Sequence, residues 1–162
     1  MKTIRLLFIA CLLLPLALGA CKKEEAPAAV DAPMAKPTTN DDAAWGAYLT
    51  DVVRRNMEEG AANPYVYVLP APDTADFQGY YDRQLEKAQA DIERGILENT
   101  LIAFGSPDST RTANLAVASF ERAEAGKLKG VKVVFIGKPA DSDRVKAAVE
   151  PSGATYKFVE AK

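Results

Sequence analysis

Three short stretches decide the architecture: Leu69-Pro70-Ala71-Pro72-Asp73-Thr74, Phe104-Gly105-Ser106-Pro107-Asp108-Ser109 and Ile136-Gly137-Lys138-Pro139-Ala140-Asp141. Each has an apolar residue, then proline or glycine as the first breaker, then a variable residue, then proline as the second. A small residue or aspartate follows, and then a side chain able to cap a helix. Glycine or proline breaks a strand, and the later proline holds the turn extended. Thr74, Ser109 and Asp141 then stand where a side-chain oxygen accepts from the first free amides of a helix. The echo predicts three consecutive strand-to-helix turns at one edge of a sheet.

The flanking residues agree. Tyr65-Val66-Tyr67-Val68-Leu69, Thr100-Leu101-Ile102-Ala103-Phe104 and Val131-Lys132-Val133-Val134-Phe135-Ile136 read as strands entering those turns. After the first turn, Phe77, Tyr81, Leu85, Ala88 and Ile92 form a helical stripe that stops at Gly95. Residues 110–125 predict another helix, closed by Gly126, and residues 141–150 a short one, stopped by Pro151 and Gly153. A last strand covers residues 155–159. It alternates more, with Lys157 between Tyr156 and Phe158, which suits a sheet edge. Upstream, Trp45, Leu49, Val52, Val53 and Met57 recur at helical spacing. Asn40, Asp41 and Asp42 are cap candidates, and Gly60 fits the helix end. Strands alternating with helices imply parallel pairing, because a parallel pair needs a long crossover. The expected fold is a small three-layer α/β domain over residues 41–162. Its four-stranded, mostly parallel sheet is preceded by an N-terminal helix.

Residues 21–40 read differently. Ala26-Pro27-Ala28-Ala29-Val30-Asp31-Ala32-Pro33 continues as Met34-Ala35-Lys36-Pro37, rich in alanine and proline with nothing periodic to bury. Such a segment is expected to be an extended tether that gives reach, at roughly 3 Å per residue.

Residues 1–20 have the parts of a secretory leader: Lys2 and Arg5, then the apolar residues 6–18, then small residues. Cys21 directly follows Leu18-Gly19-Ala20. The whole resembles a bacterial lipoprotein signal peptide ending in a lipobox. The alternatives are an ordinary leader with an incidental cysteine, or an uncleaved membrane helix. Pro15 and the charged Lys22-Lys23-Glu24-Glu25 speak against the helix. The resemblance implies cleavage before Cys21, a diacylglycerol on its sulfur and an acylated amino group, so the partner is the lipid bilayer. An aspartate after the cysteine tends to retain such proteins in the inner membrane. Lys22 in that place implies the outer membrane, with the domain facing the periplasm. Each buried methylene contributes about 0.8 kcal/mol, so several chains make a lasting anchor.

Composition excludes much chemistry. The chain has no histidine and two cysteines, Cys11 in the leader and Cys21. Past Cys21 it has no thiol for a disulfide, and catalysis or zinc binding through imidazole is excluded. The net charge is −2 and falls further with the loss of Lys2 and Arg5, so nucleic acid is a poor partner. Gly137-Lys138 looks like the end of a phosphate-binding loop, but Lys132 stands where the first glycine belongs, and Pro139 replaces Ser or Thr. Ser106 lacks the Gly-x-Ser-x-Gly elbow. Asp141-Ser142-Asp143 lacks the rest of a calcium loop. No cofactor is expected.

What remains is the turn edge, where helix N-termini converge in open α/β sheets. Asp73, Ser106, Asp108, Lys138 and Asp141 would line a small polar-ligand site there. The plainer reading is helix capping. Tyr65, Tyr67, Tyr80 and Tyr81 suit half-buried packing, and Arg54-Arg55 a solvated helix face. The function expected is a non-catalytic, tethered module that binds a protein or the envelope. A small-ligand binder and a carboxylate–lysine enzyme are the alternatives.

Overall fold

The computed structural model describes residues 32–162. The leader, Cys21 and the tether as far as Asp31 lie outside the described residues. The compact unit is Ala32–Lys162, so it begins before the expected Asp41.

The first helix, α1, is Asp42–Asn56. The Asp41 carboxylate caps it by accepting from the Ala44 amide at 2.8 Å, while Asp42 and Arg54-Arg55 suit the two ends of the helix dipole. It ends earlier than Gly60, because Met57 turns extended to pack under the helix. Gly60, with φ 73°, serves the following turn. Then come β1 (Tyr65–Val68), α2 (Phe77–Arg94), β2 (Leu101–Gly105), α3 (Ser109–Phe120), β3 (Lys132–Gly137), α4 (Pro139–Val149) and β4 (Thr155–Glu160). Helix α3 stops five residues short of the expected Ala125. The chain turns there so that Leu128 and Val131 can enter the core, and the amides of Gly126 and Leu128 bond to the carbonyls of Pro151 and Ser152.

The sheet order is β1-β2-β3-β4 and every pair is parallel. Three steps in one direction, each by a right-handed crossover, leave the connecting helices on one face. Accordingly α2, α3 and α4 pack with Tyr67, Ile102, Phe104, Val133 and Phe135 in one core. Among the described residues only α1 is left for the other face. It covers Leu101, Ala103, Val134 and Ile136 in a second core.

One helix is about 10–12 Å wide and strands lie about 4.8 Å apart, so α1 centred on β2 and β3 leaves a flank on each side. On the β4 flank residues 32–37 lie along α1 rather than free, above a cavity lined by Met34, Tyr48, Asp51 and Val159. The Met34 amide donates to the buried carboxylate of Asp51 at 3.0 Å, the Lys36 amide to the Lys162 carbonyl at 2.6 Å, and Arg55 to the Ala32 carbonyl at 3.0 Å. Trp45 is buried and its indole N–H reaches the Thr39 carbonyl at 2.9 Å. We expect Asp51→Ala to loosen this strap without unfolding the domain. Hydrogen exchange should show faster exchange at Met34 and Lys36 and unchanged protection in β2 and β3; unchanged Met34 would contradict the assignment.

Candidate functional site

The turn edge comes first. Asp73 is exposed and makes no bond to the other four candidates among the described residues. Ser106 is buried, its hydroxyl 2.5 Å from that of Thr112, and it accepts from the Asp108 amide at 3.1 Å. Asp108 is the true cap of α3, accepting from the Arg111 amide at 3.0 Å. Ser109, the expected cap, instead points inward. Its hydroxyl donates to Asp141 at 2.7 Å and accepts from the Lys138 amide at 2.8 Å. Lys138 occupies the cap position of α4 without a side-chain bond, and its side chain is exposed. Asp141 lies inside the first turn of α4, buried, and also accepts from Arg144 at 2.8 and 3.2 Å. Thr74 is not a side-chain cap either. Asp76 takes the cap position of α2 in the left-handed region, with φ 58°.

Ser106 with Asp108, and Ser109 with Lys138 and Asp141, are therefore two separate knots that tie helix starts to strand ends. Three cavities in the described residues are lined by other segments and reach none of the five candidates. No group of three acidic or other metal-ligating side chains is placed to hold an ion among the described residues. No described helix is long and apolar enough to cross a membrane.

A second buried carboxylate, Asp91 on α2, accepts from the hydroxyl of the fully buried Tyr67 and from Lys87, both at 2.9 Å, and pairs with Arg94. Burial pushes the Asp91 carboxyl up, but the bonds from Lys87 and Tyr67 outweigh it and hold it below its ordinary value. Burial works the same way on Asp141 and is outweighed by the bonds from Ser109 and Arg144. On α1, Arg55, the Met34 amide and Arg54 hold the Asp51 carboxyl far down. The pair Arg54-Arg55 is thus not merely a solvated face. Tyr67 goes the other way, raised by burial and then by Asp91.

Carboxylates with depressed folded-state values contribute stability that is complete above the unfolded value, about 3.9 for aspartate, and is lost as pH falls through the lower folded values. Thermal melts should therefore be level from neutral pH down to about 5, with loss of stability below about 4. Asp91→Asn and Asp141→Asn together should flatten the acid limb; a limb unchanged in that variant would contradict the assignment.

An open apolar feature of the surface lies elsewhere. On the β1 flank of α1 a groove of about 350 Å³ is walled by Leu49, Val53 and Met57 and floored by Pro64, Val66 and Val68. Val66 is 39% exposed. Thr50 and Arg54 form its polar rim. No strand pairs with the outer edge of β1 among the described residues. The sequence held the components of this groove, but only the strand order shows that β1 is an edge and that its α1-side face stays uncovered.

Comparison with protein families, with curated proteins and with solved structures gives no match to this chain.

Proposed function

We propose that the chain is a lipid-anchored, non-catalytic module of the cell envelope that binds another protein. Cys21, after Leu18-Gly19-Ala20, carries the acyl chains, and Lys22 behind it favours the outer membrane with the domain on the periplasmic side. The residues between Cys21 and Ala32 give the domain its reach.

The observation that carries this reading is the contrast between two surfaces. At the turn edge the buried polar groups are taken up within the protein: the Ser106 hydroxyl meets that of Thr112, and the Ser109 hydroxyl donates to Asp141. A catalytic centre needs such groups within reach of a substrate. Beside α1, in contrast, the open groove is apolar, which suits association with a partner rather than acid–base chemistry.

A photoreactive side chain in place of Thr50, on the groove rim, tests the reading in intact cells. The control carries it in place of Glu86, an exposed residue of α2. A protein adduct from the Thr50 position and none from the Glu86 position is the expected result. No adduct, or the same adducts from both, would count against a protein-binding role for this face.

A further inference from the structure

We infer that the groove between α1 and β1 takes an extended peptide segment of a partner protein, which adds as a fifth strand along the free edge of β1. This rests on the protein-binding reading above and names the chemistry of the partner.

Two observations point to a strand rather than a globular knob or a small amphiphile. The first is that groove and edge coincide. β1 pairs with β2 on one side only, so every second residue of Tyr65–Val68 directs its N–H and C=O outward, without a partner among the described residues. The strand is four residues long, which limits the edge, but it carries no charge, proline or bulge, the other devices that block one. An incoming strand would satisfy those groups, and every second side chain would fall into the groove over Val66 and Val68. A lipid chain would fill the groove and leave the edge unpaired.

The second is the opposite flank of α1. There a segment of this chain, residues 32–37, lies along α1, held through Met34, Lys36 and the carboxylate of Asp51, and leaves a cavity of about 260 Å³ beneath it. The β1 flank has the same shortage of cover and no such segment among the described residues.

Charge narrows the partner. Asp51 accepts from both Arg54 and Arg55. Arg54 stands at the groove rim with its side chain 65% exposed. The segment it complements is apolar at alternate positions and carries a carboxylate, from an acidic side chain or a chain end, where it meets Arg54. A second copy of this chain fits less well. Pairing β1 with β1 would extend the floor of the groove instead of filling it, and would set two Arg54 side chains on facing walls.

The test is a displayed library of random heptapeptides with free C-termini, offered to the full chain purified in detergent. Enrichment of alternating apolar residues with one carboxylate is expected. Gly46 supplies the decisive variant: a Cβ there meets nothing within 4 Å, so Gly46→Leu fills the groove without touching the core. It should weaken binding of the enriched peptides at least tenfold, about 1.4 kcal/mol, with an unchanged or raised melting temperature. Val66→Arg should do the same, and Arg54→Gln should keep the apolar pattern and lose the acidic preference. No enrichment, or enriched peptides that bind Gly46→Leu as well as the parent, overturns the inference. So does concentration-dependent dimerisation in sedimentation that Val66→Arg abolishes. An in-cell adduct at position 50 alongside a failed selection overturns strand addition and leaves the broader protein-binding reading standing.

Discussion

Phe104→Ala is expected to cost about 3–5 kcal/mol, the range for removing a buried phenylalanine. Phe104 is fully buried in β2. Its ring stacks on Tyr67 with centroids 5.1 Å apart and lies 6.2 Å from Phe120. It therefore joins β1, β2 and α3 at one point, and neighbours held by parallel strands on both sides can close little of the space left behind. Tyr67 is further fixed by its bond to Asp91, so it cannot swing in to fill the gap without leaving a buried hydroxyl and a carboxylate short of partners. For a domain of this size each kcal/mol shifts the melting temperature by roughly 3–5 °C, so the loss should be roughly 9–25 °C. A denaturant titration with unchanged slope and a lowered midpoint would check it. A loss below about 1 kcal/mol would mean that the main core is not organised around this ring.

Leu49→Ala is expected to cost about 2–5 kcal/mol from the opposite face of the sheet. Leu49 is the deepest α1 side chain in the second core. Its tip lies where a Cβ on Gly105 would be, so the missing side chain of Gly105 is what lets α1 sit close to β2. Gly105→Ala alone forces its methyl against Leu49 and should also destabilise. Each change makes room for the other, so the double variant should be more stable than the sum of the two single losses predicts. Strict additivity in a thermal or denaturant cycle would contradict the contact. Because α1 is the only helix over this face among the described residues, Leu49→Ala should raise hydrogen exchange in α1 before it does so in α2 or α3.

The parts of the fold legible in the sequence were those marked by residues with few conformational options. Gly and Pro punctuate each strand-to-helix turn, Gly95 ends α2, and Lys157 between Tyr156 and Phe158 marks β4 as an edge strand. Positions decided by tertiary contact were not legible. Asp108 caps α3 because Ser109 is drawn inward by Asp141, a partner in another helix. Helix α3 stops at Phe120 because Leu128 is needed in the core, although the alanine-rich residues beyond favour helix. Residues 32–37 look like free tether from composition, yet they lie along α1 because Asp51 and Lys162 offer bonds from far along the chain.

The candidate site was legible only in part, for a related reason. The polar residues of the turns were visible, but whether they face a ligand or one another depends on side-chain direction, which spacing alone does not set. The groove was hidden by strand order. Val66 and Val68 read as buried in a sheet covered on both faces. Only the order β1-β2-β3-β4, with three helices on one side, leaves them under a single helix at an open edge.

On the proposed function anchoring gives the groove its place of work, so whether Cys21 carries lipid is the measurement on which that proposal turns. Cells expressing the chain should be fed labelled palmitate and their envelopes fractionated, with Cys21→Ser run beside the parent. Label in the parent alone, with the parent in the outer-membrane fraction and the variant released as soluble protein, is the predicted result. A parent that takes up no label, or a variant that stays in the membrane as firmly as the parent, would contradict it.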